Sequence, residues 1–422
     1  MKIAIIGSGI AGLSTAWLLA SRHQVTVFEA GSYAGGHSNA VDVTLDGYTH
    51  PVDTGFLVFN ERTYPNLIAL FEQLGVKDFN SEMSFSVKLP DENLEWAGSN
   101  LSALFAQRGN LFRPRFWRMI ADILRFNRDA NRLLERSQRE ALTLGELLQR
   151  EGYSDTFAHW YLLPMGAAIW STPVNGMLDF PAATFLVFCQ NHGLLQITNR
   201  PQWKTVVGSS RDYVRRLVAG IGDVRLNTPV TSVRRQDGGV LIQAGGEDQH
   251  FDAVVMACHS DQSLALLKDA DVEERAVLSN VRYAPNTAWL HTDASVMPVR
   301  QSAWCAWNYY RAAGADRSQP VAVTYWLNRL QPLPFTTPVF VTLNPPQPIA
   351  ADKVLQRFEY DHPQLDAAAW QAQQRVAALQ GRNHVYFAGA WTGYGFHEDG
   401  LKSGIRVAKL LGAVMPWPAV TD

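Results

Sequence analysis

The sequence predicts an α/β fold in which a parallel sheet lies between helices, with a second, mixed α+β domain inserted into it. Two stretches near the ends of the chain, Lys2–Ile6 and residues 384–388, are short apolar runs typical of buried parallel strands. Each leads into a glycine-rich loop and then into residues at helical spacing. The long stretch between them does not repeat this alternation, and its apolar and aromatic runs predict the inserted domain.

The bulk composition excludes several classes of protein. The 422 residues are 47% hydrophobic and 18% charged, enough to bury one large core or two moderate ones. A formal net charge of -2 predicts no nucleic-acid partner. The three cysteines, Cys189, Cys258 and Cys305, form no close-spaced pair, which predicts neither disulfides nor a metal site and favours a cytoplasmic location. Glycines interrupt the apolar start, and no run of about 18 apolar residues follows, so we expect neither a signal peptide nor a spanning helix.

The first residues form a strand, helix and strand pattern. The strand Lys2–Ile6 is followed by apolar residues at helical spacing and then by the β-branched run Gln24–Phe28. The turn after the first strand carries a G-x-G-x-x-G motif made by Gly7, Gly9 and Gly12. In such a motif the first glycine permits the tight turn, the second lets the backbone approach a pyrophosphate, and the third lets the helix pack closely on the strand. The pattern predicts a Rossmann-type dinucleotide site that includes Ile10 and Ala11.

An acidic residue stands at the end of the second strand. Glu29, followed by Ala30, has the position and distance from the glycines at which a carboxylate accepts hydrogen bonds from an adenosine ribose. A carboxylate there disfavours a 2′-phosphate. These residues alone do not distinguish NAD from FAD.

A second glycine motif follows and identifies a family. Gly35, Gly36 and His37 resemble the motif of the flavin amine oxidase and phytoene desaturase superfamily, in which a glycine pair, usually followed by arginine, passes the flavin pyrophosphate. Here His37 replaces the arginine, which removes a bidentate donor and would make the contact depend on pH. A solvated loop histidine is the other interpretation. Thr54 and Gly55 complete the binding residues expected in this part of the chain.

The end of the chain predicts the closure of the site. A strand at residues 384–388 leads through the loop 389–400 into a helix-like segment at 401–411. A helix N-terminus there would stabilise an anionic reduced flavin. The segment resembles the superfamily's last motif, with Gly389, Gly400 and Leu401 in place but Ala390 where an acid usually binds the cofactor. The resemblance implies FAD, and we expect it to be noncovalent because no cysteine lies in the loop.

The middle of the chain adds strands and a domain division. Residues 223–233 predict a strand and turn, residues 239–243 their hairpin partner, and residues 251–258 a single buried strand. By resemblance, the backbone of Val230 receives the adenine. The resemblance implies a glutathione-reductase-like FAD-binding domain plus an α+β substrate domain of the amine-oxidase type. The FAD-binding domain is predicted to comprise residues 1–85, 200–260 and 375–422, and the substrate domain residues 86–199 and 261–374.

Two features of the predicted substrate domain have alternative interpretations. Aromatic residues concentrate there and could form plain core or line an apolar tunnel, as could the mix of small and bulky residues at 164–170. These aromatic residues are Trp170, Trp304, Trp307, Tyr309, Tyr310, Tyr325 and Trp326. The arginine-rich stretch 112–136 predicts an amphipathic helix, which either lies on the inner face of an anionic membrane or packs its apolar face on its own domain.

The substrate class is inferred from the absence of a lysine and from a resemblance to a smaller group within the superfamily. Many amine oxidases of the superfamily carry a lysine, bound through water to the flavin, on a strand that corresponds to residues 281–291, and none is present here. This favours the desaturase or isomerase side of the superfamily. The loop 389–400 and the stretch 324–331 also resemble bacterial flavoproteins associated with cyclopropane-fatty-acid synthases, which implies a fatty-acyl or phospholipid substrate.

The closing loop supplies the candidate catalytic residues. Tyr394, His397 and Glu398 are expected near the reacting carbon, with His397 or Glu398 as a base. Alternatively, these residues shape the loop and hold FAD. Two other functions remain open, an amine oxidase that produces hydrogen peroxide and a flavin-bearing accessory protein of a lipid methyltransferase.

Overall fold

A computed structural model describes residues 1–196 and 200–420. Within these residues the strands are β1 Lys2–Ile6, β2 Gln24–Phe28, β3 Ala40–Leu45, β4 Tyr48–Asp53, β5 Phe59–Asn60, β6 Asp78–Ser81, β7 Phe85–Leu89, β8 Leu94–Ala97, β9 Trp203–Val206, β10 Asp223–Arg225, β11 Val230–Gln236, β12 Gly239–Ala244, β13 Glu247–Phe251, β14 Ala253–Met256, β15 Arg282–His291, β16 Trp307–Tyr310, β17 Ala322–Trp326, β18 Phe340–Leu343, β19 Val354–Gln364 and β20 Val385–Phe387. The α-helices are α1 Ile10–Leu19, α2 Pro65–Leu74, α3 Leu101–Leu104, α4 Pro114–Glu140, α5 Leu144–Arg150, α6 Asp155–Phe157, α7 Leu163–Trp170, α8 Val174–Leu178, α9 Ala182–Asn191, α10 Arg211–Ile221, α11 Ser260–Leu266, α12 Val272–Leu278, α13 Leu327–Leu330, α14 Ala367–Leu379 and α15 His397–Leu410.

A five-stranded parallel sheet carries both ends of the chain. Its strand order is β10-β2-β1-β14-β20. The apolar run of β1 predicts burial on both faces, and Ile3, Ala4 and Ile5 are fully buried. Because all five strands are parallel, their carboxyl ends meet at one edge, where ligands bind in folds of this type.

A seven-stranded mixed sheet forms the other large layer, in the order β19-β15-β18-β17-β16-β7-β8. Its strands come from residues 85–97 and 282–364, whereas those of the parallel sheet come from residues 2–28, 223–256 and 385–387. The expected pairing of a parallel sheet with a mixed one is therefore present. The exact domain boundaries stay a prediction, and the one placed after residue 199 adjoins residues outside the described part of the chain.

Two predicted elements are corrected. The expected single strand at 251–258 is divided between β13, which pairs with β12, and β14, which joins the parallel sheet. Asp252 separates them, and its backbone N–H and side chain bond the backbone of Lys2. The last helix begins at His397 rather than at residue 401, because the Asp399 carboxylate accepts a hydrogen bond from the Phe396 N–H at the helix start.

Close packing of α1 and α15 joins the two ends of the chain. A Cβ added at Gly404 would lie 2.6 Å from the Ala11 carbonyl oxygen, and one at Gly400 would lie 2.8 Å from Ile10 Cγ2. Glycine is therefore needed where the two helices touch. This contact brings the loop before α15 to the N-terminus of α1.

The arginine-rich helix α4 packs its apolar face on its own domain. Phe116, Met119, Phe126 and Leu133 are fully buried. Most arginines from residue 118 onward are paired with acids, as when Arg132 and Arg136 bond Glu151 at 2.7 and 2.6 Å. The packing interpretation of the sequence therefore describes most of this helix. Among the described residues, no helix is long and apolar enough to cross a membrane.

Candidate functional site

One large cavity extends from the carboxyl edge of the parallel sheet to the seven-stranded sheet. Its volume is about 1290 Å³. Ligand pockets usually measure roughly 300 to 1,000 Å³. The cavity therefore has room for a dinucleotide and for part of a second ligand.

Most of the predicted cofactor-binding residues line this cavity. They are Gly7, Gly9, Ile10, Ala11, Glu29, Ala30, Gly35, Gly36, His37, Thr54, Gly55, Val230, Gly389 and Ala390. The predicted residues Gly12, Gly400 and Leu401 lie behind the wall. Gly12 is packed against the turn at Gly7, and Gly400 and Leu401 lie within α15 rather than in a loop.

The glycine turn leaves space for a ligand at the start of α1. Within the described part of the chain, a Cβ added at Gly9 would meet no atom within 4 Å, whereas one at Gly12 would overlap the carbonyl oxygen of Gly7. Gly36 crosses directly over Gly9, since its Cβ would lie 3.1 Å from the Gly9 Cα. The first N–H groups of a helix have no partner within the helix, so this end of α1 fits a pyrophosphate.

Glu29 is held in a fixed orientation between the ends of β1 and β2. Its Oε2 accepts hydrogen bonds from the Ser8 N–H at 3.0 Å and the Ser8 hydroxyl at 2.6 Å, and its Oε1 accepts one from the Gly31 N–H at 2.8 Å. The carboxylate therefore lies at the cavity wall, where it fits the hydroxyl groups of a ribose.

Two histidines face the cavity with buried, unpaired nitrogens. His37 Nε2 and His362 Nδ1 have no hydrogen-bond partner among the described residues. The ring of His37 stacks on Tyr360 at 4.9 Å and lies 5.5 Å from the ring of His362. Burial, together with the neighbouring His362, lowers the pKa of His37 to about 3. Buried nitrogens without partners are costly, and their position at the wall fits hydrogen bonding to a bound ligand.

The segment 389–400 contributes Tyr394 and His397 to the cavity wall. His397 Nε2 lies 2.7 Å from the Tyr213 hydroxyl, and its ring stacks on Phe56 at 3.9 Å. Tyr213 in turn bonds the Ser38 hydroxyl. Burial lowers the pKa of His397 to about 3, which makes it a weak base near neutral pH.

Glu398 does not line the cavity, so its predicted role as a base is corrected. Its Oε1 accepts hydrogen bonds from the Asn66 N–H at 3.0 Å and the Asn66 side-chain amide at 2.8 Å, and its Oε2 accepts one from the Leu67 N–H at 3.0 Å. Glu398 thus satisfies N–H groups at the first turn of α2. Burial raises its pKa to about 7.

The wall toward the seven-stranded sheet is apolar and aromatic. Of the predicted aromatic set, Trp170, Trp307 and Tyr325 line the cavity, Tyr309 is buried in the core, and Trp304, Tyr310 and Trp326 are partly buried. Sequence reasoning missed several lining residues that tertiary contacts alone bring together, namely Phe188, Trp203, His259, Tyr283, Tyr360 and His362. No lysine lines the cavity within the described ranges, and the carboxylates of Glu359 and Asp361 belong to exposed residues at its rim.

The fold and this site together define an FAD-dependent oxidoreductase. The chain belongs to the family of flavin containing amine oxidoreductases, whose model matches residues 10–303. This match confirms the predicted superfamily, fold class and flavin cofactor.

Two curated relatives match parts of the chain. The chain is 26% identical over 312 residues to a carotenoid phi-ring synthase of Streptomyces griseus, covering 67% of this chain and 58% of the relative. It is 38% identical over 78 residues to a zeta-carotene desaturase of Synechocystis sp., covering 18% of this chain and 15% of the relative. The matches thus span little more than half of one relative and a small part of the other.

Solved structures share the whole fold. A fatty acid isomerase from P. acnes that produces CLA superposes with a TM-score of 0.66 and 16% identity over 97% of both chains. A putrescine oxidase with bound putrescine superposes with a TM-score of 0.66 and 15% identity over 97% of this chain and 99% of the other. At this identity the likeness shows the fold alone.

Proposed function

We propose that the protein removes hydride from an apolar, chain-like substrate, the acyl chain of a fatty acid or phospholipid. The observation that carries this proposal is the apolar and aromatic wall of the cavity at α7 and the seven-stranded sheet. When FAD is bound it supplies the hydride acceptor, so the chain need only bind the substrate, orient a C–H bond and exclude water. Burying each methylene contributes about 0.8 kcal/mol, so such a wall favours long chains.

Formation of a double bond also requires loss of a proton from the neighbouring carbon. Tyr394 and His397 remain the proposed groups near that carbon, because both line the cavity. Among the described residues that line the cavity, Arg200 is the only lysine or arginine. We propose that its guanidinium attracts the anionic end of the substrate.

Anaerobic reduction of the bound flavin tests the proposal. We expect long-chain fatty acids and phospholipids in detergent to bleach the flavin absorbance of the holoprotein, and mass spectrometry to show a product that has lost two hydrogens. Putrescine and other amines should leave the spectrum unchanged, because the apolar and aromatic wall does not compensate the cost of burying an ammonium group. Bleaching by amines alone would contradict the proposal and favour an amine oxidase. If neither lipids nor amines bleach the flavin and the protein captures a lipid methyltransferase, the role as an accessory protein is favoured.

We also propose that His37 binds the pyrophosphate of FAD in place of the usual arginine. Its buried Nε2 lacks a partner at the wall, close to the Gly36 crossing over Gly9. The groups that act on its ring are His362, His259 and His397, and all of them lower its pKa. A bound anion would instead favour the imidazolium and raise that pKa. FAD binding would then take up a proton and become tighter as the pH falls.

His37→Ala should weaken FAD binding roughly ten- to a hundredfold, because a hydrogen bond to a charged group contributes about 1.5 to 3 kcal/mol. The wild type should bind FAD more tightly at about pH 6 than at about pH 8, and His37→Ala should lose this difference. Calorimetric titration of the apoprotein with FAD measures both effects. His250→Ala is the matched control, since His250 is an exposed histidine on β13 that does not line the cavity. Equal pH dependence in wild type and His37→Ala would contradict the proposal.

A further inference from the structure

Large apolar side chains are exposed on the segment that runs from α3 to the first turn of α4. Leu101 and Phe112 are 77% and 86% exposed, and Leu111 and Trp117 are also exposed. These four residues are called the apolar patch. They lie near one another in the fold, because the Trp117 indole N–H donates to the Leu111 carbonyl at 2.9 Å and its ring lies 5.5 Å from Phe105, one helical turn from Leu101. Clustered exposure of this kind marks an interaction surface.

The segment that carries the apolar patch is basic. The segment 101–118 contains Arg108, Arg113, Arg115 and Arg118 and no acidic residue. Arg113 donates to the backbone carbonyls of Glu92 and Asn93, so no carboxylate neutralises it in those bonds. Arg115 is paired with Glu92 at 3.5 Å, and Arg118 is paired with Asp122 at 3.3 Å. Exposed aromatic and aliphatic side chains among arginines complement an anionic lipid surface.

The cavity wall reaches the protein surface next to the apolar patch. Gly98 is exposed and also lines the cavity, three residues before α3 begins at Leu101. Its N–H donates to the Phe85 carbonyl, and Phe85 and the nearby Trp96 line the cavity as well. An acyl chain entering beside Gly98 would therefore pass from the surface into the apolar part of the cavity.

We propose that residues 101–118 dock the protein on an anionic lipid bilayer and that the cavity takes its substrate from that bilayer beside Gly98. The identity of the substrate rests on the function proposed above, whereas the docking does not. The apolar patch enters the interface between headgroups and acyl chains, and the surrounding arginines face the anionic headgroups. The paired arginines farther along α4 take no part.

Vesicle flotation with the full-length holoprotein tests the docking. We expect binding to vesicles of phosphatidylcholine with phosphatidylglycerol and weaker binding to phosphatidylcholine alone or at high salt. The variant Leu101→Ser/Phe112→Ser/Trp117→Ser should lose at least about tenfold in binding, since each exposed side chain contributes apolar burial in the membrane. Arg108→Gln should cost about fivefold on anionic vesicles.

The matched control replaces exposed apolar residues elsewhere. Val272→Ser/Leu410→Ser removes side chains that are 81% and 60% exposed on α12 and α15, and its vesicle binding should equal that of the wild type. Absence of wild-type binding to anionic vesicles, or an equal loss in the patch and control variants, would overturn the docking.

Flavin reduction separates this inference from the proposed function. The patch variant should be reduced normally by detergent-dispersed lipid and slowly by lipid in vesicles. Wild-type protein that binds vesicles but is not reduced by lipid in either form would refute the proposed function and leave the docking intact. Equal rates with vesicle lipid for the patch variant and the wild type would refute delivery of the substrate from the bilayer.

Discussion

Gly9→Ala should leave the apoprotein as stable as the wild type and weaken FAD binding by roughly a hundredfold or more. The added methyl group would meet no atom of the described residues within 4 Å, and the Gly9 backbone is extended, so the folded chain accepts it without strain. The space it fills is the space through which the backbone of this turn approaches a pyrophosphate. Loss of two hydrogen bonds from helix N–H groups to a charged ligand, at about 1.5 kcal/mol or more each, gives the expected magnitude.

Gly12→Ala is the matched control, because the same methyl group meets the protein itself. Its Cβ would overlap the Gly7 carbonyl oxygen and lie 3.2 Å from the Ala257 Cβ. Overpacking of this kind costs about 1 to 3 kcal/mol or more, so the apoprotein should unfold at lower temperature. Thermal unfolding of both apoproteins and titration with FAD measure the contrast. Wild-type FAD affinity in Gly9→Ala, or equal destabilisation by both variants, would contradict this assignment of the two glycines.

The part of the site that depends on neighbouring residues in sequence could be predicted. β1, the glycine turn, α1, β2 and Glu29 follow one another within the first 29 residues, so local periodicity and motif spacing were sufficient. The start of α15 was misplaced by four residues because the glycines of the loop 389–400 suggested irregular structure. The interaction that determines the start is a side-chain cap, in which Asp399 bonds the Phe396 N–H.

Residues that meet only through the tertiary fold could not be predicted. Tyr360 and His362 reach His37 because β19 pairs with β15 along ten residues of the mixed sheet, and no local motif marks them. The pairing of Arg132 and Arg136 with Glu151 joins α4 to a residue beyond α5, so the sequence showed a basic helix but not its neutralisation. His397 and Glu398 are adjacent in α15, yet His397 lines the cavity whereas the Glu398 carboxylate bonds the start of α2.

Ala168→Phe should abolish flavin reduction by long acyl chains, by at least about a hundredfold, while FAD binding remains close to that of the wild type. Ala168 lies on α7, is only 1% exposed and lines the cavity, so a ring at this position occupies space near Trp170 and the seven-stranded sheet. The glycine turn, Glu29 and Val230 belong to other elements. A long chain would lose the burial of several methylenes, each contributing about 0.8 kcal/mol, and would be displaced from the reacting geometry.

Chain length makes this prediction specific. Short acyl chains should reduce Ala168→Phe at rates nearer those of the wild type, because they need not reach α7, and Ala168→Ser should accept all lengths as the small-residue control. Stopped-flow reduction with a series of chain lengths measures the cut-off, and thermal unfolding checks for the roughly 1 to 3 kcal/mol that an overpacked helix could lose. If Ala168→Phe loses FAD, the space at α7 belongs to the cofactor. If it oxidises long chains as the wild type does, the substrate does not occupy the apolar part of the cavity, and the proposed acyl substrate loses its main support.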